Sequence, residues 1–125
     1  MTPLSPVSAV ARKVQDVRTG GKGFSEISRR VGEAVASSGV ETGLANIFAA
    51  YRSCSLLFSE NADPTVRDDL ERWFARAVPD GDASCGHDAE GCDDTPAHIR
   101  SVLTGVSLGT PVDDGRLMLG TWQGM

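Results

Sequence analysis

The chain has 125 residues, 40% hydrophobic and 23% charged, with a net charge of −5. That length suits one domain around a single core, and that composition excludes intrinsic disorder. An acidic chain with no Lys-rich tract or basic arm is not built to hold nucleic acid, no charged leader precedes an apolar run at its start, and no apolar run is long enough to span a bilayer.

In chain order, residues 1–11 form a loose Pro/Ser-containing tail and 12–125 one domain. The stretch "RKVQDVRT" (12–19) predicts a first strand and "GGKG" (20–23) a flexible turn. A helix is expected over 28–39, with Ser28 as cap, Val31, Ala34 and Val35 on one face and Gly39 as a left-handed end. Residues 43–60 are nearly uncharged and apolar on both parities, which predicts two strands, or one long bent strand, buried on both faces. Asp63 then caps a helix opened by Pro64 and ended by Pro79. Its stripe of Val66, Leu70, Trp73, Phe74 and Ala77 is expected in the core. After the loop 79–94 comes a shorter helix, capped by Thr95, opened by Pro96 and closed by Gly105. "VSLGTPV", the turn "DDG" (113–115) and "RLMLGTWQGM" read as a closing hairpin. The fold class is α+β: a mostly antiparallel, sandwich-like sheet packed with about three helices.

Chemistry concentrates in "SCGHDAEGCDDTPAH" (84–98). Cys85, His87, Cys92 and His98 are the number of ligands a structural zinc needs, although the spacing matches no paired CxxC or HxxxH knuckle. A solvated loop is the plainer reading. Three cysteines (Cys54, Cys85, Cys92) without a secretory leader favour a reduced, cytoplasmic chain over a disulfide framework. With Thr95 as cap, His98 sits at the third helical position, where the helix dipole favours neutral imidazole. Glu60 and Asp63 flank Asn61 on an acidic turn suited to Mg²⁺ that also carries phosphate oxygens, while helix capping accounts for Asp63 equally well. Asp93 and Asp94 read as a solvated pair. "GGKG" lacks the spacing of a P-loop. Trp122 and Gln123, in "GTWQ", suit either the wall of a binding site or, for the tryptophan, plain core.

Taken together, "GKGFSEIS", "SGVETGL", "SLLFSENADPTVRDDLERWFARAVPDGD" and "GHDAEGCDDTPAHIRSVLTGVSLGTPVDDGRLMLGTWQG" resemble the YjbQ family of secondary thiamine-phosphate synthases, from about residue 12 onward. The resemblance implies a reaction that joins hydroxymethylpyrimidine diphosphate to thiazole phosphate and releases pyrophosphate. It implies a small phosphorylated substrate, a divalent metal (zinc or magnesium), a homo-trimer, and no nucleic-acid or membrane partner. It places His87 and His98 as metal ligands, with His98, Glu60 and Asp63 catalytic and Trp122 and Gln123 against the substrate. Two departures stand out. Tyr51 and Arg52 replace the family's strand histidine and threonine, and the family pattern continues past "GTWQG" with another strand, so the chain reads as truncated. A non-catalytic relative binding metal or a phosphorylated ligand, and a structural zinc module through Cys85, His87, Cys92 and His98, remain alternatives.

Overall fold

A computed structural model of the chain describes residue 6 and residues 9–79 and 94–125. Three helices and five strands follow in the order α1 (Ser28–Ser38), β1 (Gly43–Phe48), β2 (Ser59–Glu60), α2 (Pro64–Ala77), α3 (Asp94–Leu103), β3 (Ser107–Asp113), β4 (Arg116–Leu117) and β5 (Gln123–Gly124). The strands make two antiparallel sheets, one ordered β1-β3-β4 and a short one pairing β2 with β5. The α+β class read from the sequence is the class of the structure.

Residues 12–19 do not form the expected first strand. They are exposed, and among the described residues no strand pairs with them. Their Asp16 carbonyl accepts a bond from the Arg30 guanidinium at 3.4 Å. The turn 20–23 is held onto α2 by the Glu71 carboxylate, which accepts the Phe24 N–H at 3.2 Å. Phe24 itself packs on Phe74, ring centroids 5.9 Å apart.

Helix α1 has the expected extent and ends on Gly39 at φ 75°. Its start differs. Ile27 occupies the N-cap, and Ser28 spends its hydroxyl on a distant partner: Ser28 Oγ accepts the Met125 N–H at 2.8 Å, and Ile27 N–H donates to Met125 O at 2.9 Å. The bonds anchor β5 to the first turn of α1.

The segment 43–60 is not buried on both faces. β1 alternates, with Ala45 and Ile47 half-buried and Leu44, Asn46 and Phe48 exposed. The chain then turns at 51–53, runs irregularly to residue 58 and pairs again only at β2. The apolar run reflects one buried parity and one open parity, both occupied by hydrophobic side chains.

Helix α2 begins at Pro64 with Asp63 as N-cap and stops two residues before Pro79. Val66, Leu70 and Phe74 are half-buried, but Trp73 and Ala77 are exposed, so the stripe is narrower than its sequence spacing suggests. Helix α3 starts at Asp94, one residue before the expected cap, which makes His98 its fifth residue. It ends at Leu103 rather than at Gly105, with Thr104 Oγ1 bonded back to the Arg100 carbonyl at 3.0 Å.

The closing hairpin turns at Asp114 and Gly115, both at positive φ (51° and 70°), as a tight antiparallel connection requires. Its second arm is short. β4 ends at Leu117, and the chain crosses to pair β5 with β2. Buried side chains are few among the described residues: Pro96, Val78, Thr110, Val112 and Met125.

Candidate functional site

The β2–β5 pair builds the polar corner that carries most of the sequence-predicted residues. Register sets Glu60 opposite Gln123 and Ser59 opposite Gly124, and Asn61 N–H donates to Trp122 O at 2.7 Å. Segments some sixty residues apart thus meet at the start of α2, where Asp63 caps the helix. Glu60, Asp63, Trp122 and Gln123 fall within this one corner.

Each carboxylate already has a local task. Glu60 Oε1 accepts the N–H groups of Ala62 and Asp63, both at 3.2 Å, which folds the turn back on itself. Asp63 Oδ1 accepts the Thr65 N–H at 2.9 Å and the Thr65 hydroxyl at 2.8 Å. These bonds, the backbone one foremost, favour the charged carboxylate and hold Asp63 below its ordinary pKa, so it is ionised at neutral pH. Gln123 folds its side-chain oxygen onto Gly120 N–H at 3.0 Å, while Trp122 is two-thirds exposed.

Asn61 and Arg67 belong to the corner as well, and the sequence reading gave neither a role. Arg67 Nη2 donates to Asn61 Oδ1 at 3.1 Å, which brings a guanidinium beside the acidic turn. Gly124 is required by close approach, since any Cβ there would strike the Asn61 side chain. The six-residue separation of Asn61 and Arg67 matches no local motif, and their meeting depends on how the turn enters α2.

A broad open cavity of about 2960 Å³ adjoins the corner, reaching Glu60, Asn61 and Arg67 and, from α3, Ala97, Arg100, Ser101 and Thr104. Those α3 positions share one helical face. Arg100 is held there by a 2.6 Å bond to the Val78 carbonyl, and Ser101 Oγ donates to Cys54 O at 3.3 Å. His98 lies about 100° around the helix from Ala97 and is not among the residues lining this cavity. Its ring is half-buried, with Nε2 closed off from solvent. Tyr51, where the family resemblance implies a histidine, is two-thirds exposed in the turn after β1.

His87, Cys85, Cys92 and Asp93 lie outside the described residues. Among the described residues no group of three His, Cys, Asp or Glu side chains converges as a metal site would require, and His98 is the single imidazole. The described side chains therefore do not make up a ligand set for a resident metal, and no chemical step is drawn through one. Cys54 is a free, exposed thiol. No helix among the described residues is long and apolar enough to cross a membrane.

The chain matches the model of the family described as UPF0047 protein YjbQ-like over residues 13–125. It is 56% identical over 86 residues to the UPF0047 protein YjbQ of Salmonella typhimurium, covering 69% of this chain and 62% of that protein. Over 109 residues it is 46% identical to the UPF0047 protein sll1880 of Synechocystis sp., covering 87% and 74%. Among solved structures it is similar to the conserved hypothetical protein TT1486 from Thermus thermophilus, with a TM-score of 0.77, 39% identity and coverage of 86% and 81%. A YjbQ/UPF0047 protein from Clostridium acetobutylicum aligns with a TM-score of 0.68 at 33% identity, covering 79% and 74%. On its sequence and on its fold, the chain belongs to the YjbQ-like UPF0047 family.

Proposed function

We propose that the chain is a transferase of the thiamine-phosphate synthase type, joining hydroxymethylpyrimidine diphosphate to thiazole phosphate. The bond from the pyrimidine's methylene carbon to the diphosphate breaks, the bond to the thiazole forms, and pyrophosphate leaves with the electron pair. The observation that supports this reading is the Glu60–Gln123 pairing, which sets two carboxylates, an arginine and an exposed tryptophan around the N-terminus of α2.

A helix N-terminus favours an anion, and Arg67 adds positive charge beside it. Glu60 and Asp63 oppose an unescorted diphosphate, so the substrate enters with a divalent cation that neutralises its charge. Trp122 offers a face for an aromatic ring, and the Gln123 amide fixes polar ring atoms at its edge. In this reading His98, whose ring does not line the cavity, takes no part in the step at the corner; with His87 it would hold the metal that the family resemblance implies.

The test is pyrophosphate release from the two precursors with Mg²⁺ present. Glu60→Gln retains an oxygen to accept the turn's N–H groups but loses the charge, and it is expected to lower kcat by about tenfold or more. A parent rate equal to the protein-free blank overturns the proposal. A second reading, a relative that binds a phosphorylated ligand without turnover, is favoured by Tyr51 and by the capping tasks already taken up by both carboxylates. Calorimetric binding of either precursor without pyrophosphate release would select it.

A further inference from the structure

Arg67 is distinguished by the carboxylates it does not pair with. Asp63 lies four residues before it and Glu71 four residues after it, the spacing at which a helix brings opposite charges together. Both carboxylates serve elsewhere: Asp63 Oδ1 accepts from Thr65, and Glu71 Oε1 accepts the Phe24 N–H at 3.2 Å. Arg29 and Arg72, exposed on their helices, do pair, with Glu33 and Asp69. Arg67 is half-buried, and its hydrogen-bond partner among the described residues is a neutral amide, Asn61 Oδ1 at 3.1 Å. Its charge is therefore not neutralised by a bound carboxylate among the described residues, at a cavity it lines together with Glu60 and Asn61.

Asn61 is itself fixed three ways. Its N–H donates to Trp122 O at 2.7 Å, its Oδ1 holds Arg67, and its side chain lies so close to Gly124 that no Cβ fits between them. The β2–β5 crossing sets the Asn61 side chain, and that side chain aims the guanidinium. A guanidinium held at one nitrogen by a neutral acceptor keeps its charge and the rest of its planar fork, which matches two oxygens of one phosphate.

We propose that Arg67 binds the phosphate monoester of the acceptor substrate and sets specificity for it, and that Asn61 is the positioning residue that aims it. The identity of that substrate rests on the transferase reading, and charge balance selects the monoester. The diphosphate is neutralised by the divalent cation it brings to Glu60 and Asp63. The anion then left uncompensated in the corner is the phosphate of the thiazole, and Arg67 is the cation to meet it. A carboxylate at position 61 would tie up the guanidinium as an ion pair and repel the phosphate, which gives a neutral amide there its purpose.

Calorimetric titration of the full chain with thiazole phosphate, and with the same thiazole as its unphosphorylated alcohol, tests the proposal without turnover. The parent is expected to bind the ester at least about tenfold more tightly than the alcohol. Arg67→Gln is expected to abolish that preference, and Arg67→Lys, which keeps the charge but not the fork, to retain part of it. Asn61→Asp preserves the shape and the hold on Arg67, and is expected to weaken thiazole phosphate binding at least about fivefold with no fall in Tm. A purely structural Asn61–Arg67 bond predicts unchanged affinity instead. Circular dichroism checks that each variant folds, and Arg67→Lys carries the test should Arg67→Gln fail to. With turnover, Arg67→Gln should raise KM for thiazole phosphate while KM for the pyrimidine diphosphate moves less than about twofold. Binding of the ester through Arg67 with no pyrophosphate release would sink the transferase reading and leave the role of Arg67 standing. Equal affinity of the parent for ester and alcohol, a preference undiminished in folded Arg67 variants, unchanged affinity in Asn61→Asp, or a KM effect confined to the diphosphate would each overturn it.

Discussion

A Cβ placed on Gly124 would stand 2.8 Å from Asn61 Cβ and 2.9 Å from Asn61 Cγ and Nδ2, where ordinary contact begins at 3.4 Å. The clash is with the root of the side chain, so a rotamer change at Asn61 does not relieve it. Arg67 holds the Asn61 amide oxygen, and the Asn61 N–H is bonded to Trp122, so the backbone cannot drift freely either. Gly124→Ala must therefore part β2 from β5 by about 0.6 Å, an overpacking strain of about 1–3 kcal/mol. In urea, with a slope of about 1.5 kcal/mol/M, the unfolding midpoint should fall by roughly 1 M. Asn61→Gly removes the opposing Cβ, and in that background Gly124→Ala should cost less than about 0.5 kcal/mol. A single variant as stable as its parent, or a cost unchanged in the double variant, would refute the close-approach reasoning.

Two further outcomes follow from buried and titrating groups. Thr110 is 2% exposed, and its hydroxyl has no hydrogen-bond partner among the described residues. Thr110→Val keeps the shape and removes the stranded polar group, so a gain of about 1 kcal/mol, or roughly 3–5 °C in Tm, is expected from thermal unfolding. Asp63 has its pKa lowered from 3.8 in the folded chain, so its stabilising effect is complete above that value and is lost as pH falls through the lower, folded one. Asp63→Asn retains a capping oxygen without the titration, and its stability should fall less steeply than the parent's as pH drops below about 4.

Local chemistry was legible where a neighbour in sequence supplies the partner. The Asp63–Pro64 start of α2, the left-handed Gly39 and the Asp114–Gly115 turn all match, because caps and tight turns are settled within a few residues. Ser28 shows the limit: its composition reads as a cap, yet its hydroxyl serves Met125, 97 positions away. The strand expected at 12–19 had suitable residues and, among the described residues, no partner strand. The run after residue 43 looked doubly buried because hydrophobicity was taken for burial, whereas Leu44 and Phe48 face outward. In the corner around Glu60, the carboxylates were identified from their own turn. Asn61 and Arg67 were not given roles, since only the crossing of β5 to β2 reveals what their geometry supports. Trp122 and Gln123 were singled out as an odd pair in a strand, and the same crossing sets them beside that turn.

The pairing of β1 with β3 has a temporal side. Gly43 meets Val112 and Phe48 meets Ser107, and α2, α3 and the residues around them all intervene. On a ribosome adding about 5–20 residues per second, β1 waits roughly 3–12 s for the strand that satisfies it. Among the described residues, its hydrogen-bonding groups have no strand partner throughout that interval. The nascent chain is therefore most vulnerable to aggregation between the emergence of residue 48 and that of residue 112, and holdase chaperones should engage it there.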